Sequence, residues 1–283
     1  MKKYQLTLLS LCVAAFAQAK VTLPSFFTDN MVIQQNSQLT LPGKAKAGKQ
    51  VTVKVSWNHE KYTAKASADG HFSIEVPTPP AGGPYQIIVS DGEKLVLNNV
   101  LSGEVWICSG QSNMEMPVAG WGKVMNYEQE VADADYPSIR LLQVKKTVAF
   151  SPQDNVEMNM NGWQECSSAT VPEFSSVAYF YARKLWKELN VPVGVIDCTW
   201  GGTPAESWTS HQTLKQVMGF QKRMAEMESA GFQREKLVEL YHQEMDEWLQ
   251  QFDARDAGFK DGVPQWISAL QTGNGWKPME LPA

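Results

Sequence analysis

Apolar and polar residues alternate with a period of two in the first part of the chain. The segments QLTLPG, QVTVKVSW, HFSIEV and YQIIVSD show this alternation, and turn residues such as Asp69-Gly70 and Asp91-Gly92 separate them. Such alternation is typical of half-buried β-strands, and short strands at this spacing favour an antiparallel sandwich. We therefore predict a β-sandwich domain over residues 20–103.

The pattern changes at residue 104, where the strand-like runs become almost wholly apolar. These runs are EVWIC, IRLLQV and VGVIDCTW, and between the last two, residues 174–189 repeat apolar side chains at helical spacing. Asn190 and Pro192 are expected to end that helix. A helix that feeds a buried strand after a short connection predicts a parallel sheet, whose chemistry lies beyond the carboxyl ends of its strands.

The last part of the chain is less regular. Residues 213–252 indicate one or two helices, with an apolar stripe that we interpret as core packing. Residues 257–283 are rich in Gly, Pro and Trp without periodicity, and we interpret them as a linker. The second domain is accordingly predicted over residues 104–256.

The first 19 residues have the organisation of a secretory signal peptide. A basic start, MKKYQ, precedes an apolar run too short to span a bilayer, and the small residues AQA follow it. We predict export to the periplasm or the extracellular space. No later apolar run is long enough to cross a membrane, so no membrane anchor is expected.

Composition excludes several classes of partner and cofactor. The formal net charge is −5 and no basic block occurs, which argues against a nucleic-acid partner. No His, Cys or acidic cluster has metal-ligand spacing, so neither a metal nor another cofactor is predicted. Beyond the signal peptide, Cys108, Cys166 and Cys198 leave at least one free thiol. Cys108 and Cys198 end two strands and are expected near each other, although the sequence leaves their pairing open.

Two segments carry a resemblance to a known family. GEVWICSGQSNMEMP, together with FSSVAYFYARKLWKELNVPVGVIDCTWGGTPAESWTS, resembles the sialate O-acetylesterases, which are serine hydrolases of the SGNH or GDSL-like class. FTDNMVIQQ and LPGKAKAGKQVTV resemble that family's opening β segment. The resemblance implies an α/β fold in which the sandwich precedes an incomplete SGNH-type three-layer α/β/α domain with a parallel sheet.

The resemblance also implies the site. Ser112 would attack an acetyl ester of a sugar, with the backbone N–H groups of Ser112 and of Gly201 or Gly202 as the oxyanion hole. A glycine pair at a strand end suits this role because bare backbone N–H groups approach closely there. Residues expected to contact the substrate are Gln111, Asn113, Glu206 and Trp208. The structural alternative for SGQSN is an ordinary turn between a strand and a helix.

The general base of the family is missing from its expected place. No QGESN-like or Asp-x-x-His segment follows Ser112, and His211 and His242 lie in no such motif. We therefore expect these residues to be the front part of a longer protein, with little esterase activity alone. The predicted substrate is an O-acetylated sialic acid or sialoglycan. Two alternatives stay open: an acetylxylan-type polysaccharide deacetylase, and a non-catalytic carbohydrate-binding relic of the fold.

Overall fold

The computed structural model describes residues 20–255 and the short strands Phe259–Lys260 and Val263–Pro264. The predicted signal peptide and most of the predicted linker lie outside the described residues. The chain divides into two compact units between Trp208 and Thr209. The domain bounds given by the sequence stay predictions.

Seven strands build the first part of the chain, and their inward residues are those that the alternation predicts. In β3, Val51, Val53 and Val55 are all buried, and they alternate with more exposed positions. The strands are β1 (Val32–Gln34), β2 (Gln38–Lys44), β3 (Gln50–Val55), β4 (Lys61–Lys65), β5 (His71–Pro77), β6 (Gly82–Ser90) and β7 (Lys94–Gly110). β2 pairs with β5, and β4-β3-β6-β7 form a second layer that shares one apolar core with that pair. This arrangement is a sandwich.

Strand β7 belongs to both halves of the first unit. Its first half pairs antiparallel with β6, and residues 104–110 pair parallel with a later strand. The boundary at residues 103–104 given by the sequence therefore falls inside one continuous strand. At Gly103 the backbone passes so close to Pro192 that an added Cβ would lie 2.0 Å from the proline carbonyl oxygen.

The second half of this unit is the predicted parallel sheet with a helix on it. Strand β10 (Val193–Thr199) lies between β7 and β8 (Asp135–Gln143) and is parallel to both, while β9 (Gln164–Ser167) adds an antiparallel edge. Three helices accompany these strands: α1 (Ser112–Glu115), α2 (Tyr127–Ala132) and α3 (Ser176–Leu189). One face of the sheet packs on α3, and the opposite face joins the sandwich core through Leu142 and Ile196.

Helix α3 begins after the N-cap residue Ser175 and ends at the C-cap residue Asn190. The Ser175 hydroxyl accepts a hydrogen bond from the Ala178 N–H at 3.2 Å, which satisfies a free donor of the first turn. Asn190 takes a left-handed conformation at φ 52°, so the predicted stop at this residue is confirmed. The apolar stripe is only partly buried, because Val177 and Tyr181 are 43% and 37% exposed.

Residues 104–110 of β7 have a sheet partner on one edge only. β10 occupies that edge, and no strand in the described part of the chain occupies the other. Trp106 and Ile107 are consequently 43% and 72% exposed. An unpaired edge with large apolar side chains is a surface that proteins usually cover.

In its described part, the second unit contains helices and a short antiparallel pair of strands, Phe259–Lys260 and Val263–Pro264. The helices are α4 (His211–Leu214), α5 (Gln221–Ser229) and α6 (Arg234–Arg255). The interpretation of the α6 stripe as core packing was wrong for its aromatic members, because Tyr241, Trp248 and Phe252 are each about half exposed. Among the described residues, no helix combines the length and apolar character needed to cross a bilayer.

Candidate active site

Ser112 begins helix α1 immediately after the turn that ends β7. Gly110 makes this turn at φ +148°, and an added Cβ there would lie 2.8 Å from the Met114 side chain. Glycine is therefore required where the strand becomes a helix. Ser112 is exposed, and its N–H stands at the first helical position, which has no acceptor within the helix. The hydroxyl makes no hydrogen bond with any described residue.

Of the two glycines predicted for the oxyanion hole, Gly201 lies close to Ser112. β10 runs parallel beside β7 with Thr199 opposite Gly110, so the loops that follow the two strands emerge at the same edge. A Cβ added to Gly201 would lie 3.1 Å from the Ser112 Oγ atom. Gly202 has φ +77°, and a Cβ added to it would meet no atom within 4 Å. The sheet thus brings together two loops separated by almost ninety residues.

A carboxylate joins this pair of loops. Glu115, one helical turn after Ser112, accepts a hydrogen bond from the Gly201 N–H on its Oε2 atom. Its Oε1 atom accepts from the ammonium group of Lys146, which follows β8. The Gly201 N–H is therefore engaged, whereas the Gly202 N–H has no acceptor among the described residues.

A cleft of about 620 Å³ lies beside these loops. Its ionisable lining residues are Glu115, Glu173, Asp197 and Lys146, so the carboxylates outnumber the ammonium group three to one. The rest of the lining combines polar side chains with apolar and aromatic ones: Gln143, Asn159, Thr170 and Thr199, and Pro117, Trp121, Val144, Met160, Ala169, Pro172 and Phe174. Flat rings beside polar groups suit the mixed surface of a sugar.

Asp197 is the most deeply buried of the cleft's carboxylates. Its two oxygens accept hydrogen bonds from the Thr199 hydroxyl at 2.6 Å and from the Gln143 amide at 3.0 Å. Burial raises the pKa of Asp197 and the charge of Glu115 adds to this effect, while these donors partly oppose it. The network fixes the end of β10 just before the glycine pair.

The other residues predicted to contact the substrate lie on the segments that carry Ser112 and follow the glycine pair. Gln111 precedes α1 and Asn113 lies within it, and both side chains are exposed. Glu206 and Trp208 lie on a 3₁₀ helix over Ala205–Trp208, after the glycines. The Trp208 indole N–H donates to the Thr203 hydroxyl at 2.8 Å, which fixes the ring on its own loop. Within residues 20–255, none of these four side chains hydrogen-bonds to Ser112.

The histidines of the described chain are engaged elsewhere or exposed. His211 pairs with Glu228 at 2.9 Å, and the ring of His242 packs against that of Tyr241. No group of three or more His, Cys, Asp or Glu side chains among the described residues has the geometry to hold a metal ion.

Cys108, Cys166 and Cys198, the cysteines of the described residues, are free thiols. Cys198 stands opposite Ser109 and Cys108 opposite Asp197, so the two cysteine side chains point to opposite faces of the sheet. The expectation that they lie near each other holds for their strands but not for their sulfur atoms. Burial raises the pKa of Cys108 to about 11, which makes it a poor nucleophile at neutral pH.

Sequence reasoning missed Asp197 and the contact between Glu115, Lys146 and Gly201. The sequence did indicate the importance of Asp197, because an acidic residue inside the buried run VGVIDCTW needs hydrogen-bond partners within the protein. The sequence did not indicate the contact of Glu115, because its partners Lys146 and Gly201 lie on loops 31 and 86 residues further along the chain. Only the register of the sheet brings those loops together.

Comparisons with known proteins agree on one family. The family model described as "Carbohydrate esterase, sialic acid-specific acetylesterase" matches residues 102–278. Sialate O-acetylesterases from Pongo abelii and Homo sapiens are 33% and 32% identical over 209 residues, which are 68% of this chain but 39% of each relative. A carbohydrate acetylesterase from Xanthomonas citri aligns with a TM-score of 0.64 at 32% identity, over 69% of this chain and 43% of that one.

Proposed function

Because the chain belongs to the sialic acid-specific acetylesterase family of carbohydrate esterases, we propose that it acts in the hydrolysis of acetyl esters on a sugar, with Ser112 as the nucleophile. The observation that carries the proposal is the approach of Gly201 to the Ser112 hydroxyl at the end of two parallel strands. Acyl transfer to serine needs a hydroxyl and backbone donors at one point.

In the proposed reaction, the Ser112 oxygen adds to the ester carbonyl and its proton passes to a base. The N–H groups of Ser112 and Gly202 stabilise the negative carbonyl oxygen, since the Gly201 N–H already donates to Glu115. The sugar hydroxyl then leaves with a proton, and water later releases acetate from the acetyl-serine. Each removed donor of this kind typically lowers the rate about 100- to 1000-fold.

We also propose that the base is supplied by a segment outside these 283 residues. This proposal is supported by the sequence, in which no Asp-x-x-His or Asp-x-His segment follows Ser112. The uncovered edge of β7 gives a place for further structure beside the nucleophile. The chain spans 39% of the length of the relatives reported above.

The substrate proposed first is an O-acetylated sialic acid, by analogy with those relatives. The charge of the cleft favours a second candidate, a neutral acetylated polysaccharide such as acetylxylan. Three carboxylates beside one ammonium group repel the carboxylate of a sialic acid. A neutral sugar meets no such repulsion.

Acetate release by residues 20–283 tests these proposals, with 9-O-acetylated sialic acid and acetylated xylan as substrates and Ser112→Ala as the control. Free imidazole is added in one arm because it substitutes for an absent histidine base. We expect slow release that depends on Ser112 and rises with imidazole. No Ser112-dependent release in either arm would refute the nucleophile, and full activity without imidazole would refute the external base.

The same assay separates the two substrates. If the acidic cleft sets the preference, acetylated xylan is hydrolysed faster, and added salt raises the rate on the sialic acid alone because it screens the repulsion. A higher rate on the sialic acid at low salt would reject the second candidate. Localisation is tested separately: the proposed export requires that the mature protein begin at Lys20, which N-terminal sequencing of the secreted chain determines.

A further inference from the structure

Glu115 connects three segments of the chain at the nucleophile. It is the last residue of α1, and its side chain is only 15% exposed. One carboxylate oxygen accepts the Gly201 N–H, and the other accepts the ammonium group of Lys146. The loop after β10 is thereby fastened to the helix that carries Ser112.

We infer that Glu115 is a positioning residue, which holds the Gly201–Gly202 loop against Ser112 and selects the oxyanion donor. The Gly201 N–H already donates a hydrogen bond to this carboxylate. The donors that remain for a developing oxyanion are therefore the N–H groups of Ser112 and Gly202. The contact itself is independent of any activity. Its consequence for the oxyanion hole rests on the proposed function.

Lys146 keeps the carboxylate in the state that this role requires. Burial raises the pKa of Glu115, but the hydrogen bonds from Lys146 and Gly201 outweigh it and leave that pKa below its usual range. The other charged groups on the cleft are the carboxylates of Asp197 and Glu173. The Asp197 carboxylate opposes the ionisation of Glu115, and the neighbouring ammonium group compensates for it.

A role for Glu115 as the general base is inconsistent with these contacts. Both of its oxygens already accept hydrogen bonds from donors. A carboxylate with a lowered pKa is also a weak proton acceptor at neutral pH. The side chain is arranged to hold a loop rather than to move a proton.

Nuclear magnetic resonance of residues 20–283 labelled with ¹⁵N-glycine tests the contact directly. The Gly201 signal is assigned by its absence from Gly201→Ala. We expect a downfield Gly201 amide proton whose shift titrates at acidic pH as Glu115 protonates. Lys146→Met should move this midpoint to higher pH, because the ammonium group no longer stabilises the carboxylate. Glu115→Gln should abolish the titration while keeping the size of the side chain.

A neighbouring lysine provides the matched control. Lys145 pairs with the exposed Glu157 at 2.7 Å, so Lys145→Met also removes one ammonium group from this segment. We expect it to leave the Gly201 titration unchanged. A Gly201 amide that does not respond to pH, or that responds equally to Lys145→Met and Lys146→Met, would overturn the inference.

Kinetics then tests the consequence. In the imidazole-supplemented assay, we expect Glu115→Ala to lower kcat about 100-fold with little change in KM, as for a misplaced catalytic loop. Glu115→Gln should lose less, because its amide oxygen still accepts the Gly201 N–H. An unchanged kcat in Glu115→Ala would overturn the positioning role. If the Gly201 titration is present but no variant or wild-type chain releases acetate through Ser112, the contact stands and the proposed function fails.

Discussion

Replacing Gly201 by alanine would place one carbon atom between Ser112 and Glu115. That carbon would lie 2.9 Å from the Glu115 Oε2 atom and 3.1 Å from the Ser112 Oγ atom. Ordinary contact begins near 3.4 Å, so the carboxylate oxygen must retreat by about half an ångström. The backbone at Gly201 needs no positive φ, so crowding is the only cost of the substitution.

The size of the effect follows from this displacement. A misplacement of about 1 Å costs roughly 100-fold in rate, so half of that predicts a loss of about tenfold in kcat. Tenfold corresponds to ~1.4 kcal/mol of activation free energy. The free energy of unfolding should change by less than about 1 kcal/mol, because both crowded atoms end movable side chains.

The assay pairs acetate release in the presence of imidazole with chemical unfolding, and Gly92→Ala serves as the control. Gly92 has φ +126° and no atom within 4 Å of an added Cβ, so alanine there costs about 1–2 kcal/mol of backbone strain without touching the site. We expect Gly201→Ala to lower the rate and Gly92→Ala to lower the stability. A Gly201→Ala chain with wild-type kcat would refute the reasoning.

Two further predictions concern the core of the first unit. Gly103→Ala should destabilise the fold by about 3 kcal/mol, because its Cβ would lie 2.0 Å from the backbone oxygen of Pro192 and neither chain segment can move away easily. Thermal unfolding measures this loss of stability. An unchanged melting temperature would contradict the prediction. Cys108 and Cys166 should resist alkylation at pH 7.5, because burial raises their pKa values to about 11 and about 12. Mass spectrometry after iodoacetamide treatment measures the alkylation. Rapid labelling of either thiol in the folded chain would contradict the prediction.

The sequence predicted the parts of the fold that depend on local pattern. Alternation located the sandwich strands, and Asn190 ended α3 where a left-handed residue is needed. The adjacency of Ser112 and Gly201 was also predictable, because residues that follow two parallel strands meet at one edge. In each case the signal lies in the residues themselves or in a rule about neighbouring strands.

The remaining features depend on tertiary contacts without a local signature. In the sequence, nothing distinguishes Glu115 from an ordinary residue of a helix. Only the folded chain places Gly201 and Lys146 beside it. The exposure of Tyr241 and Trp248 likewise cannot be read from an apolar stripe, since periodicity shows a common face but not what covers it. The continuity of β7 through residue 103 was missed because its two halves have different burial patterns.

Acetylation of Ser112 is the most direct test of the central claim. Residues 20–283 would be treated with an activated acetyl ester without imidazole, digested and mapped by mass spectrometry beside Ser112→Ala. Because removal of the acetyl group also needs a base, the acetyl-serine should accumulate. The account predicts one acetyl group on the peptide that contains Ser112, absent from the variant. Acetyl groups found only on lysines or thiols, with Ser112 unmodified, would contradict it.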